Sequence, residues 1–147
     1  PLHKGINYDI SEYRFERRGL LHSMIELEGQ KTIHCFCVHL ALLQRGRERQ
    51  LTTILHHIEH LSGNHPTIIA GDFNDWRNTI SKPMGQAGFV DIFESLHGAP
   101  ARTFPSIRPI LPMDRIYVRG LVIQKAEILT EWAKLSDHLA IYAELGH

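Results

Sequence analysis

The order of apolar and polar positions along the chain predicts alternating strands and helices. Residues 20–27 and 32–40 have the composition of strands, and the segment 28–31 between them predicts a hairpin turn. Between residues 44 and 61 the apolar residues recur at helical spacing and predict an amphipathic helix: Leu51, Ile54, Leu55, Ile58 and Leu61. Residues 67–70 are then apolar without polar alternation, which predicts a strand covered on both faces.

The second half of the chain continues this mixed pattern. Residues 78–87 predict a short helix, residues 88–93 begin a new buried element, and residues 97–112 form a loop rich in proline. Strands are predicted at 114–118, 121–129 and 139–145. Residues 1–17 lack a clean period, which indicates a loop or an edge strand. We find no repeat and no internal boundary, so residues 1–147 are expected to belong to a single domain of the α/β class.

Composition narrows the functional classes only slightly. Hydrophobic residues make up 43% of the chain, which is enough for a sizeable core. Lys plus Arg and Asp plus Glu number 16 each, so no overall basic field indicates binding to nucleic acid or to an anionic membrane, although a local basic patch is possible. No apolar run approaches the ~18 residues of a transmembrane helix.

Both cysteines, Cys35 and Cys37, lie two residues apart in a predicted strand. A disulfide between them would be strained, so we expect a reducing compartment and a cytoplasmic location. Together with His39 they alternate onto one face and suggest a zinc site. At about 3.3 Å per residue, however, Cys35 and His39 lie about 13 Å apart along a strand, too far for one zinc ion. Both cysteines are therefore predicted to be small core residues.

Polar side chains suited to phosphodiester chemistry occur at the ends of the predicted strands. They are His39, Asp72, Asn74, Asp114, Asp137 and His138. Carboxylates bind hard divalent cations that neutralise phosphate oxygens, and histidine or aspartate can transfer the proton of an attacking water or a leaving oxygen. The alternative for residues 72–75 is an Asx-rich turn, which Asn and Asp form readily.

Three motifs carry a resemblance to a known family. GDFN at 71–74, MDRIYV at 113–118 and LSDH at 135–138 occur in this order in the endonuclease/exonuclease/phosphatase superfamily, which is deoxyribonuclease I-like. Upstream pieces, ERRGLLHSMI and VHL, agree, and ARTFPSIRPILPMDRIYV is similar to a bacterial branch of small, uncharacterised members. The resemblance implies a two-sheet α/β sandwich with helices outside and hydrolysis of phosphodiesters with Mg²⁺ or Mn²⁺.

The resemblance also implies roles for individual residues. Asp72 and Asn74 match the pair that handles the attacking water and the scissile phosphate, and Asp72 with Asp137 matches the metal-contacting carboxylates. His138 matches a histidine that contacts the phosphate, and Asp114 matches the aspartate that orients it. His39 matches a second histidine of the deoxyribonuclease and sphingomyelinase branches.

The chain departs from the family pattern at its beginning. Members carry an Asn and a principal metal-binding Glu in a first half that nothing in residues 1–31 matches. The chain therefore resembles the C-terminal half of such a domain. Alone, it is expected to be inactive, to bind metal weakly, to require the missing N-terminal half and to be capable of self-association.

Substrate and side-chain environment stay open in several respects. The substrate is a nucleic acid or, in the alternative, a lipid headgroup as in sphingomyelinases; a non-catalytic module that keeps the fold is a third possibility. Arg45, Arg47 and Arg49 are predicted to be solvated, although one of them could reach a substrate phosphate. His56 and His60 are predicted to be solvated on the polar face of the helix. Phe104 is predicted to be a core residue, whereas Trp76 fits the core or the cleft equally well, and Arg102 could face the substrate.

Overall fold

The computed structural model describes residues 5–29 and 31–146, and its mixture of sheets and helices confirms the α/β class. The strands are β1 (Ile6–Asp9), β2 (Gly19–Leu27), β3 (Lys31–His39), β4 (Thr67–Asp72), β5 (Val90–Asp91), β6 (Asp114–Arg119), β7 (Val122–Leu129) and β8 (Ala140–Gly146). The helices are α1 (Gln44–Ser62), α2 (Ser81–Gln86) and α3 (Ile92–His97), with a 3-10 turn at Thr130–Trp132.

Most predicted strands and helices are present at their predicted positions, and the helix α3 is an addition to them. The buried element predicted at 88–93 divides into the short strand β5 and the helix α3. Asp91 begins this helix, because its Oδ1 accepts hydrogen bonds from the backbone amides of Phe93 and Glu94. Part of the predicted N-terminal loop (residues 1–4) and Gln30 of the predicted turn lie outside the described residues.

Six strands form the main sheet in the order β1-β2-β3-β4-β6-β5, and β7 pairs with β8 in a separate two-stranded sheet. β3 and β4 are parallel and are joined through α1, whereas the other neighbouring strands of the main sheet are antiparallel. The carboxyl ends of β3 and β4 therefore lie beside the start of β6, at the same end of the sheet. We call this end the site end.

The two faces of the main sheet are covered differently. On one face, Leu20, Phe36, Ile69 and Tyr117 pack in a core shared with the apolar side of α1. On the other face, the β7–β8 hairpin covers β4 and β6, whose Ile68, Ile116 and Val118 join Ile128, Ile141 and Ala143 in a second cluster.

The hairpin does not extend over β2 and β3. Leu21 is 46% exposed there, and its cross-strand partner Cys37 is also exposed. The prediction that both cysteines are core residues is therefore wrong for Cys37, and Cys35 is only half-buried. We call the surface formed by Leu21, Ser23, Cys35 and Cys37 the open face.

Gly71 lets β4 approach β3 closely just before the site. Its φ is +143°, and a Cβ atom at this position would lie 1.9 Å from the carbonyl oxygen of Val38. Only glycine fits such an approach. Among the described residues, no helix is long and apolar enough to cross a membrane.

Candidate active site

A cleft of about 630 Å³ opens at the site end and is lined by every residue that the sequence singled out for chemistry. These are His39, Asp72, Asn74, Asp114, Asp137 and His138. The remaining lining residues are Arg18, Leu42, Phe104 and Met113. The placement brings the predicted site residues together, while their roles stay predictions.

Backbone pairing sets three of these residues side by side. In the register of the sheet, His39 of β3 lies opposite Asp72 of β4, and Asp72 lies opposite Asp114 of β6. Neighbouring strands are about 4.8 Å apart, so the Cα atoms of the three residues form one row across the sheet at about this spacing. His39 Nε2 lies 3.4 Å from Asp72 Oδ2.

The turn after β4 is built around Asp72 and Asn74. The backbone amide of Asn74 donates to Asp72 Oδ1 at 2.8 Å, and its side-chain Nδ2 donates to the carbonyl of Leu40 at 2.9 Å. Asn74 has a φ of +51°, a conformation that asparagine tolerates better than most residues. The Asx turn considered from the sequence is thus present, and it places both side chains at the cleft.

Asp72 is surrounded by groups that affect its charge in opposite directions. Burial raises the pKa of this carboxyl, and the hydrogen bond from the Asn74 amide partly offsets the effect. The neighbouring carboxylate of Asp114 raises the pKa further, whereas His39 and His138 lower it. A cation in this part of the cleft would stabilise the ionised form.

Asp114 and His138 form a hydrogen-bonded pair, with His138 Nδ1 2.8 Å from Asp114 Oδ2. Burial lowers the pKa of His138, but the hydrogen bond to Asp114 and the nearby carboxylates of Asp72 and Asp137 outweigh it, so the pKa is raised. Nδ1 is engaged by Asp114, which leaves Nε2 for a ligand. The ring of Phe104 lies against His138, with the centroids 4.9 Å apart.

Thr103 supports this pair and was not identified from the sequence. It is fully buried, and its Oγ1 donates to Asp114 Oδ2 while accepting from the Asp114 amide at 3.3 Å. Its carbonyl also accepts the amide of Leu139, the residue after His138, at 2.9 Å. One residue therefore holds both partners of the pair. Thr103 lies within the ARTFPSIRP stretch, but no local pattern distinguishes it.

Ser106 ties together the two loops that carry this side of the cleft. Its Oγ lies 2.8 Å from the carbonyl oxygen of Ala133 and 2.6 Å from that of Ser136. Its backbone amide donates to the carbonyl of Asp137 at 2.7 Å. The loop bearing Asp137 and His138 is thus anchored by the loop that precedes β6.

The prediction that the three arginines near the start of α1 are solvated is wrong for Arg47. It is 1% exposed, and its guanidinium donates to the carbonyl of Leu42 at 2.5 Å and lies over the ring of Trp76 at 5.2 Å. Its Nη2 is 4.0 Å from Asp75 Oδ1. Arg47 therefore joins the loop after β3 to the loop after β4, both of which line the cleft. Arg45 and Arg49 are exposed, as predicted.

Some of the remaining side chains agree with their predicted environment and others do not. Phe104 is half-buried and lines the cleft, so its prediction as a core residue is wrong. Trp76 is 40% exposed beside Arg47, and Arg102 lines a separate apolar pocket with α3 and β7. His56 and His60 are exposed, as predicted.

The described residues include two candidate metal ligands at the cleft. Asp72 and Asp137 both line the cleft and have the oxygen donors that Mg²⁺ prefers. Across residues 5–29 and 31–146, however, no group of three or more His, Cys, Asp or Glu side chains could hold a metal ion. The assignment of Asp72 and Asp137 as metal ligands therefore stays a prediction.

Known proteins resemble this chain over nearly its whole length. The uncharacterized protein YbhP of Escherichia coli K12 is 41% identical over 150 residues, which cover 99% of this chain and 59% of that protein. The chain therefore spans about three fifths of the curated relatives it matches.

Solved structures show the same fold. A functionally unknown conserved protein from Enterococcus faecalis V583 matches with a TM-score of 0.81 at 23% identity, covering 99% of this chain and 67% of that one. D. rerio TDP2 complexed with a single-strand DNA product matches with a TM-score of 0.79 at 20% identity, covering 99% and 68%. Residues 13–138 match the family described as Endonuclease/Exonuclease/phosphatase family. The chain therefore belongs to the endonuclease/exonuclease/phosphatase family and has its deoxyribonuclease I-like α/β fold.

Proposed function

We propose that the complete protein is a divalent-metal-dependent phosphodiester hydrolase and that this chain contributes the C-terminal part of its single catalytic domain. Nuclease- or phosphatase-type hydrolysis is the chemistry of the family; the diester substrate and the metal go beyond it. The observation that carries the proposal is the Asp114–His138 pair, 2.8 Å apart, in one cleft with Asp72 and Asn74. A purely structural domain has no need for this set.

The proposed roles follow from the contacts of each residue. His138, whose raised pKa favours the imidazolium form, donates from Nε2 to a phosphate oxygen or a leaving oxygen. Asp72, whose Oδ1 accepts the Asn74 amide at 2.8 Å, accepts a proton from the attacking water. Asn74 holds the phosphate or the water in line, and the exposed His39 beside Asp72 assists in proton transfer.

Mg²⁺ or Mn²⁺ is the proposed cofactor, with Asp137 and Asp72 as its ligands in this chain. When bound, such an ion neutralises charge on the phosphate oxygens. Because Mg²⁺ favours octahedral oxygen coordination, water, the substrate phosphate and ligands from the rest of the protein would complete the shell around these two carboxylates. We therefore expect this chain alone to bind the ion weakly and to be catalytically inactive.

The partner proposed for the open face is the part of the protein that the longer relatives contain and this chain does not match. Leu21 and the cysteines present a partly exposed apolar surface beside a region that the β7–β8 hairpin already covers. An uncovered surface of this kind favours association, so the isolated chain should self-associate. A cytoplasmic location is also proposed, because both cysteines are free.

The test compares the full-length protein with the isolated chain on bis-p-nitrophenyl phosphate, with Mg²⁺, with Mn²⁺ and with EDTA. The full-length protein should hydrolyse the diester in an EDTA-sensitive manner, and Asp72→Ala or His138→Ala should abolish turnover. His60→Ala, an exposed histidine on α1, is the matched control and should retain activity.

Two results would contradict the proposal. A full-length protein that is inactive with either ion would support a non-catalytic module instead. Robust EDTA-sensitive hydrolysis by the isolated chain would show that its metal site is already complete.

A further inference from the structure

A second pocket, of about 680 Å³, lies between α3, residues 99–102 and β7. It shares no lining residue with the cleft. Most of its lining is apolar and includes Phe93, Ala101 and Ala126, which are buried members of the second core cluster, and Ile128, which packs against them. A concave, largely apolar pocket of this size with a few polar groups is the usual form of a binding site. We call it the β7 pocket.

One wall of the β7 pocket is the free edge of the strand β7. Four consecutive residues, 126–129, line the pocket. Because side chains alternate between the two faces of a strand, a run of consecutive lining residues indicates that the pocket follows the edge of the strand and not one of its faces. β8 pairs along one edge of β7, and within residues 5–29 and 31–146 no strand pairs along the other. The pocket therefore has an unpaired strand as one side.

The backbone of β7 presents hydrogen-bonding groups to this edge. His97 Nε2, on α3, donates to the carbonyl oxygen of Ala126 at 3.1 Å, so this carbonyl points toward α3 and away from β8. In an antiparallel pair, the amide and carbonyl of one residue point to the same edge, and those of the residue two positions along do the same. The amide of Ala126 and both backbone groups of Ile128 are therefore directed toward the pocket, at the spacing that a further strand requires.

Two charged side chains at the β7 pocket lack a partner of opposite charge. Arg102 and Glu131 both line it, both are exposed, and neither forms an ion pair with any residue in the described part of the chain. The other carboxylate of the lining, Glu127, is already paired with Lys125 at 3.0 Å. A free guanidinium beside an apolar surface favours a ligand that combines an apolar group with a carboxylate. Glu131 favours a basic group elsewhere in the same ligand, and a peptide can supply both.

Other occupants fit the β7 pocket less well than a single extended peptide. A second copy that paired through its own β7 would bring its α3 to an edge where α3 and residues 99–102 already form the opposite wall. The carboxylates of Glu127 and Glu131 disfavour a nucleic acid. A small organic ligand could cover the apolar side chains, but it would leave the strand edge unpaired.

We propose that the β7 pocket binds an extended peptide segment of a partner protein, which adds to the free edge of β7 as a further strand. The peptide backbone pairs with Ala126 and Ile128, a large apolar side chain lies over Phe93 and Ala101, and an acidic side chain reaches Arg102. In this mode of recognition, backbone hydrogen bonds supply affinity and the pockets for alternate side chains supply specificity. The partner is thus a protein with an exposed segment that contains both an apolar and an acidic residue.

The test selects peptides from a displayed library of random short sequences on the full-length protein, after removal of those that also bind an Arg102→Glu variant. The selected sequences should carry a large apolar residue and an aspartate or glutamate. Arg102→Glu should weaken binding of the synthetic peptide at least about tenfold, because the loss of one charge-assisted hydrogen bond is sufficient for such a change. The matched control is Arg108→Glu, an exposed arginine that does not line the pocket, and its affinity should stay unchanged.

Two further measurements distinguish strand addition from other binding. A peptide with N-methyl groups on its central amides should bind at least about tenfold more weakly than the same unmethylated sequence, because it cannot donate to the carbonyls of β7. The bound peptide should slow hydrogen exchange of the amides in residues 124–129. Failure to select any peptide, equal affinity of the methylated peptide, equal affinity of the Arg102→Glu variant, or protection confined to other residues would overturn the proposal.

Discussion

Replacing Thr103 by valine tests whether the Asp114–His138 pair depends on its buried support. Valine keeps the shape of threonine and removes the hydroxyl that donates to Asp114 Oδ2. The carboxylate would retain His138 at 2.8 Å but lose its second donor inside the protein. A hydrogen bond to a charged group contributes about 1.5–3 kcal/mol, so we expect the free energy of unfolding to fall by about that amount.

Activity should fall for a different reason from stability. Asp114 orients the His138 ring through one of its oxygens, and that same oxygen accepts the Thr103 hydroxyl. Without the hydroxyl, the carboxylate is free to rotate, and a small misplacement of a catalytic group lowers turnover steeply. We expect kcat of the full-length protein to fall about tenfold or more, with KM changing little because Thr103 is buried away from the substrate.

Thr103→Ser is the matched control, since it restores the hydroxyl while removing a methyl group. It should recover most of the lost kcat even though a small cavity costs some stability. Chemical denaturation and steady-state hydrolysis of bis-p-nitrophenyl phosphate give the two readouts. Wild-type kcat in Thr103→Val, or equal losses of kcat in the valine and serine variants, would refute the positioning role.

Three further predictions concern the sheet and the cleft walls. Gly71→Ala should destabilise the full-length protein by about 3 kcal/mol or more in thermal denaturation, because its Cβ would collide with the Val38 carbonyl; near-wild-type stability would contradict this geometry. Arg47→Met should lower the free energy of unfolding in urea by about 2–4 kcal/mol, because the buried carbonyls of Ala41 and Leu42 lose their donor. Arg45→Met should leave the free energy of unfolding nearly unchanged, and similar losses in both variants would contradict the buried role of Arg47. Burial lowers the pKa of both His22 and His34, and His22 Nε2 lies 3.0 Å from His34 Nδ1. Below about pH 6.5 the unfolded chain therefore binds protons at these histidines that the native state does not bind. The contribution of this pair to stability should therefore be constant above that pH and fall as the pH drops toward the lower native pKa values. A His22→Phe, His34→Phe variant with the same loss of stability at low pH would exclude this cause.

The strands and the convergence of the candidate site residues in one cleft were predictable because the signals for them are local. An apolar run followed by Gly71 and polar residues identifies a strand end without any knowledge of its neighbours. Parallel pairing of β3 with β4 then brings the ends of those strands together. The short helix α3 was not predicted, because its six residues are too few to show a period, and its start depends on the single cap of Asp91.

Side-chain environments were less predictable because they depend on residues far away in the chain. Arg47 has the sequence context of a solvated helix terminus and is buried because the loops after β3 and β4 meet over it. Cys37 has the context of a core strand and is exposed because the hairpin covers β4 and β6 instead. Phe104 has the context of a core aromatic residue and instead lies against His138. In each case the deciding contact spans elements whose relative position no local pattern specifies.

The cleft has two sides that are held in different ways, and this difference bears on how its chemistry can vary. His39, Asp72 and Asp114 are fixed in one row by backbone pairing across three strands, which side-chain substitutions alter little. Asp137 and His138 lie on a loop that is tied by side-chain and backbone hydrogen bonds to Ser106 and Thr103. The loops of this second side also carry the exposed side chains of Ile107 and Leu135. Substitutions there can therefore change how a substrate is presented while the row of charged groups in the sheet stays in place.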